Sequence, residues 1–169
     1  MTELLEIART VGLEAAAFVN ARRPVGRVDV AATKSSPTDV VTEIDRACEE
    51  LIRSRINAAR PSDGFVGEEG ADLIGTSGVD WVVDPIDGTV NFVYGIPMYS
   101  VSIAARRDGT VVVGYVVNIA SGAEWGAIRG EGAWRYRGDE RMRLTAPSIA
   151  RLDHALVATG FNYVPHVRT

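Results

Sequence analysis

Three short acidic segments hold the residues best suited to chemistry. The first is Asp84-Pro85-Ile86-Asp87-Gly88-Thr89-Val90-Asn91-Phe92, which follows the apolar run Trp81-Val82-Val83. Two aspartates three residues apart on a tight turn converge on one small volume. Pro85 fixes its own φ and has no N–H, so the turn is stiff and the Ile86 carbonyl can face inward beside the carboxylates as a third oxygen ligand. Only a hard cation makes that clustering favourable. Gly88 permits close backbone approach, and a helix starting at Thr89 would turn its first N–H groups towards an anion such as phosphate. Asp87, Gly88 and Thr89 are therefore the candidate substrate-binding residues. The second segment, Gly67-Glu68-Glu69-Gly70, again ends a short apolar run. In the third, Asp39-Val40-Val41-Thr42-Glu43-Ile44-Asp45, Thr42 and Asp45 share one face if the segment is helical, the alternative being an exposed helix face.

Periodicity predicts the elements that must position these groups. Leu4, Ala8, Val11, Ala15, Phe18 and Val19 recur at helical spacing within residues 3 to 22, before Pro24. A second helix is expected over 39 to 59, with Asp39 as N-cap, a stripe of Val40, Ile44, Ala47, Cys48, Leu51 and Ile52, and Pro61 as the stop. The pattern then changes to strands. Phe65-Val66-Gly67 and Trp81-Val82-Val83 read as buried strands that deliver acids to a sheet edge. Tyr99 to Arg106 and Thr110 to Asn118 read as a hairpin closed by Asp108-Gly109, and Ala123 to Arg129 and Ala133 to Tyr136 extend an antiparallel meander. Ala155 to Ala158 is expected to be a final buried strand. The fold class is α+β, with two helices on one face of a largely antiparallel sheet.

The 169 residues, 46% hydrophobic and 24% charged, exclude disorder and collagen-like repeats. A net charge of −4 gives no footprint for nucleic acid or an anionic membrane, and no apolar run approaches the ~20 residues needed to cross a bilayer. Cys48 is the single cysteine and cannot form an internal disulfide, and no secretory signal is evident, so a cytoplasmic protein is expected. Between Asp39 and Asp87 there are twelve acids against four arginines. That excess has either a solvation explanation or a cation-binding one.

Taken in order, the three motifs resemble the inositol monophosphatase family of magnesium-dependent, lithium-sensitive phosphatases. Lys34 with Asp39-x-x-Thr42-x-x-Asp45 is similar to the family's helix motif, Gly67-Glu68-Glu69-Gly70 to its glutamate loop, and the Asp84 to Phe92 segment to its signature. Gly130-x-Gly132-Ala133, then a hairpin and Leu144-Thr145, is similar to the middle section. The resemblance implies that Glu68, Asp84 and the Ile86 carbonyl hold a first Mg²⁺, and that Asp84 bridges to a second that Asp87 also ligates. It implies further that Asp45 and Thr89 are hydrogen-bonded to each other and orient or deprotonate the attacking water, with Lys34 and Thr42 as accessory groups. The substrate would be a small-molecule phosphate ester, inositol monophosphate or a related polyol or sugar phosphate first, with nucleotide 3′-phosphates and fructose bisphosphate ranked lower. A homodimer is implied as well.

The implied fold is a layered α/β sandwich of the sugar-phosphatase type. The family's second α/β layer, with a Trp-Asp pair whose aspartate completes the second metal site, has no counterpart in residues 1–169, which contain no Trp-Asp pair. The chain is therefore expected to form a family N-terminal domain that lacks this layer. Two readings stay open: a working phosphatase, or a non-catalytic form that binds metal weakly or serves an assembly role. Cys48, Trp125, Trp134 and Tyr136 read as packing residues, and His154 and His166 have no ligand partner at metal spacing.

Overall fold

A computed structural model describes residues 1–23 and 43–157, together with the backbone of two short strands at 32–33 and 40–41. The first helix, α1 (Thr2–Arg22), buries Leu4, Leu5, Ala8, Val11, Ala15 and Val19 along one stripe, with Glu3 in its first turn and Arg22 in its last, each opposite in sign to the helix end it occupies. Strands β1 (Ala32–Thr33) and β2 (Val40–Val41) then pair antiparallel. The second helix, α2, spans Glu43–Ala59. The helix expected to start at Asp39 thus begins four residues later, because β-branched Val40 and Val41 are used in a strand pair. Its buried face is also rotated from the expected stripe. Asp45, Cys48, Glu49, Ile52 and Ile56 are buried and Ala47 is exposed, so two acids lie where the apolar pattern had placed none.

Seven strands form one sheet: β3 (Gly64–Gly67), β4 (Val79–Asp87), β5 (Ser100–Arg107), β6 (Thr110–Asn118), β7 (Glu124–Ile128), β8 (Gly132–Arg137) and β9 (Glu140–Leu144), adjacent in that order. A short helix, α3 (Thr89–Tyr94), separates β4 from β5. Among the described residues, only β3 and β4 run parallel in this sheet, and its other neighbouring pairs are antiparallel. The β5–β6 hairpin turns at Asp108 and Gly109, whose φ values of 49° and 76° match the mirror-image turn that suits strand twist. Alternate strand residues, among them Trp81, Val83, Val101, Ile103, Tyr115 and Val117, meet α1 and α2 in a single core. The other face carries Val82, Ala104, Val116, Trp125 and Ala127 in partly exposed positions, with no helix over it among the described residues.

A polar knot supports the β4 edge from below. Asp63, just after α2, accepts hydrogen bonds from Arg60 Nε at 3.0 Å, Ser77 Oγ at 2.6 Å and the buried Trp81 Nε1 at 2.9 Å. Burial opposes ionisation of Asp63, yet these donors outweigh it and hold the carboxyl below its ordinary value. The expected strand at Ala155 to Ala158 does not form. Ala155 to Val157 are irregular, with Leu156 99% and Val157 67% exposed, and Ala158 lies outside the described residues. Its apolar run finds no neighbouring strand edge or face to pair with among the described residues, and apolar composition alone does not make a strand.

Candidate metal and phosphate site

The parallel pairing of β3 with β4 brings the second and first acidic motifs together. Gly67 stands opposite Val83, so the next residues along each strand, Glu68 and Asp84, emerge side by side at the same sheet edge. Glu68 is within hydrogen-bond reach of Asp84. The tight turn expected between Asp84 and Asp87 is instead extended strand with a bulge: Asp84 faces Ser102 and Asp87 faces Ser100, leaving one extra residue on β4. Pro85 is tolerated there because β3 has already ended and no neighbour on that side needs an N–H. The bulge, rather than a turn, changes the directions of the two carboxylates.

Asp84 is the electrostatic centre. Desolvation first, then the charges of Glu68 and Asp87 and the contact with Glu68, push its carboxyl up to about 8. Its Oδ1 is buried and has no hydrogen-bond partner. Glu68 and Asp87 are exposed at the rim. Among the described residues, no three His, Cys, Asp or Glu side chains close around a common metal position. The three carboxylates are neighbours through Asp84 without enclosing such a point. Even so, a buried carboxylate oxygen without a donor, crowded by two further acids, suits a hard divalent cation and little else but a proton.

Beyond the bulge the chain turns into α3. Gly88 has φ 92°, and a Cβ there would lie 2.8 Å from the Met98 carbonyl oxygen, so only glycine fits. Asn91 Nδ2 donates to that same carbonyl at 2.8 Å and fixes the loop after the helix. Thr89 Oγ1 donates to the Ile86 carbonyl at 3.0 Å and lies 3.4 Å from Asp45 Oδ2. Thr89 and Asp45 therefore meet, with the shorter contact going to Ile86. The Ile86 carbonyl keeps a second lone pair while accepting from Thr89. Asp45 is 2% exposed in the first turn of α2, where a negative charge is favoured.

The structure thus brings Asp45, Glu68, Asp84, Ile86, Asp87, Gly88 and Thr89 to one edge. Lys34, Asp39 and Thr42 lie outside the residues whose side chains are described. One residue was missed from the sequence: Glu49, buried beside the Glu68 loop. Its place one turn after Asp45 gave no signal by itself, because a glutamate there reads as a solvated helix face.

Helices on one face of a mixed sheet, with carboxylates gathered at one strand edge beside a short helix, define a layered α/β protein. The sequence pattern of the inositol monophosphatase family matches residues 1–169. The chain belongs to that family, whose members are phosphatases that use a divalent metal. It is 45% identical over 175 aligned residues to the inositol-1-monophosphatase SuhB of Mycobacterium tuberculosis, covering 95% of this chain and 60% of that protein. It is 39% identical to the histidinol-phosphatase of the same organism, over 77% of this chain and 50% of the relative. The solved structure of Mycobacterium tuberculosis SuhB superposes with a TM-score of 0.81 at 40% identity, covering 99% of this chain and 61% of that one. The chain therefore spans about three fifths of the length of the SuhB protein it matches.

Proposed function

We propose that this chain carries the catalytic edge of a Mg²⁺-dependent phosphatase acting on inositol monophosphate or a related small polyol or sugar phosphate. The observation that supports it best is that Glu68 and Asp87 each neighbour the buried Asp84 where β3 and β4 end, with Thr89 and Asp45 3.4 Å apart beside them. In this reading Glu68, Asp84, Asp87 and the Ile86 carbonyl are the groups that would hold Mg²⁺. Bound Mg²⁺ neutralises phosphate and leaving-group charge and lowers the pKa of a bound water. Asp45 and Thr89 would orient or deprotonate the attacking water, with the Asp45 carboxylate as the group able to accept a proton, and the backbone at Gly88 and Thr89 would face the phosphate oxygens. The protein acts as a homodimer in the cytoplasm, on a small-molecule phosphate ester and without a nucleic-acid or membrane partner. No helix among the described residues is long and apolar enough to cross a membrane.

Phosphate release from inositol 1-phosphate, histidinol phosphate, fructose 1,6-bisphosphate and a nucleoside 3′-phosphate, each with Mg²⁺ and with EDTA, tests the reading. Mg²⁺-dependent release is expected, fastest with inositol 1-phosphate. Asp84→Asn should abolish it, since the neutral amide keeps one oxygen but loses the charge and the second oxygen that divalent cations would draw on. Wild-type turnover in that variant would refute the assignment.

A further inference from the structure

Glu49 belongs to none of the three acidic motifs, yet it is 3% exposed and lies one helical turn after Asp45. Its Oε2 accepts the backbone N–H of Glu69 at 2.7 Å, and its Oε1 accepts from Arg53 Nη2 at 3.2 Å. The glutamate loop is shaped around this ion pair. A Cβ on Gly67 would stand 2.5 Å from the Glu49 carboxyl, and one on Gly70 would stand 2.6 Å from Arg53 Nη2 and 2.7 Å from Glu49 Oε1. The glycines on either side of Glu68-Glu69 thus leave the space that the pair occupies. Arg53 in turn stacks 4.8 Å above the ring of Phe65 on β3, the strand that leads into the loop.

We propose that Glu49 is a positioning residue for metal ligation: its carboxylate, balanced by Arg53, holds the Gly67–Gly70 loop through the Glu69 N–H and so sets Glu68 beside Asp84. The inference rests on the reading of Glu68, Asp84 and Asp87 as metal ligands. A carboxylate is the strongest acceptor available for a backbone N–H. Unbalanced, it would add a further buried negative charge beside an edge that already carries Glu68, Asp84 and Asp87, and the Arg53 guanidinium 3.2 Å away offsets it. An apolar residue at position 49 would leave the Glu69 N–H without this acceptor and remove one anchor of the loop, which Arg46 also reaches through the Glu69 carboxylate at 4.0 Å. Because Asp45 sits on the preceding turn of the same helix, α2 fixes the water-activating acid and the ligand loop in one frame.

Mn²⁺ binding to the 169-residue chain, read from the electron paramagnetic resonance of the free ion, tests this alongside amide exchange at Glu69. Glu49→Ala should weaken Mn²⁺ binding by about 10- to 100-fold, the usual effect of removing a group that orients a ligand. It should also speed exchange of the Glu69 amide. Glu49→Gln keeps a side-chain carbonyl for that N–H and should recover most of the affinity, whereas Glu49→Met, of similar size but without an acceptor, should not; a general packing role would predict rescue by both. Gly70→Ala keeps both charged residues but pushes a methyl into them, and should weaken Mn²⁺ in the same direction even if Glu49→Ala does not fold. Glu68→Gln serves as the control for the site. If it weakens Mn²⁺ while Glu49→Ala and Gly70→Ala do not, the proposal is overturned and the site stands. If Glu68→Gln leaves Mn²⁺ binding unchanged, the reading of the site falls and takes the ligation role with it. Unchanged Glu69 exchange in Glu49→Ala would remove the clamp itself.

Discussion

The Cys48 thiol donates to the Pro85 carbonyl oxygen at 3.8 Å, a contact that seats α2 against the bulged end of β4. Cys48 is fully buried, and desolvation, followed by the charges of Asp45, Glu49 and Asp84, pushes its thiol up to about 12. Thiolate is the reactive form, so both burial and acid surroundings protect the group. Alkylation of the folded chain should be slower than that of the urea-unfolded chain by about 10²-fold or more, its rate following global opening. Rapid modification at neutral pH without loss of structure would show that α2 does not seal this edge.

Thr89 and Asp45 act on water in the proposed mechanism, whereas Glu68, Asp84 and Asp87 act on ions. Thr89→Ala and Asp45→Asn should therefore lower kcat by about 10² to 10⁴-fold while shifting the Mg²⁺ dependence little. Steady-state rates across a Mg²⁺ titration separate the two effects. A dominant shift in the Mg²⁺ requirement would move Thr89 or Asp45 from the water to the metal.

The sequence carried most of this site because its chemistry is local. Asp84, Asp87, Gly88 and Thr89 lie within six residues, and the apolar runs that end at Glu68 and Asp84 already read as strands delivering acids to a sheet edge. The meander from Ser100 to Arg137 was legible from alternation and the Asp108-Gly109 turn, which depend on near neighbours. What failed depended on distant partners. Whether Val40-Val41 opens a helix or pairs as a strand is settled by Ala32-Thr33, and whether Ala155 to Val157 forms a strand is settled by what lies beside it. Glu49 was missed for a related reason. A glutamate one turn from an aspartate reads as a solvated face until the Glu69 N–H and Arg53 are seen around it.

Asp63 gives a pH-dependent prediction away from the site. Its side chain is 1% exposed and receives Arg60, Ser77 and Trp81 on two oxygens. Asparagine offers one acceptor oxygen and brings N–H groups towards these donors, so Asp63→Asn should cost about 2–4 kcal/mol at pH 7. An acid whose folded pKa is depressed stabilises the fold above its unfolded value, near 4, and loses that contribution as pH falls through the folded value. Urea midpoints of wild type and Asp63→Asn should therefore differ at pH 7, and the gap should narrow as pH falls below about 4. A constant gap down to pH 2.5 would mean that the Asp63 charge is not what the donors stabilise.

The helix-free face of the sheet sets the last expectation. In register across the strands, Val82 pairs with Ala104, Ala104 with Gly114 and Gly114 with Ala127, while Val116 pairs with Trp125 on the next row. These residues alternate with the core-facing set and are only partly covered among the described residues. At the end of the same sheet, β9 is exposed along its whole length and pairs on one side only, with β8. A contiguous apolar face and a free strand edge both recruit other chains. The 169-residue chain should therefore self-associate at micromolar concentration. Val116→Lys and Trp125→Glu, which place charges on the face without touching the core set, should shift it towards monomer. Sedimentation velocity over a concentration series distinguishes the outcomes. A wild-type chain that stays monomeric throughout would show that this face is covered in solution, and self-association unchanged by both substitutions would assign it to the β9 edge.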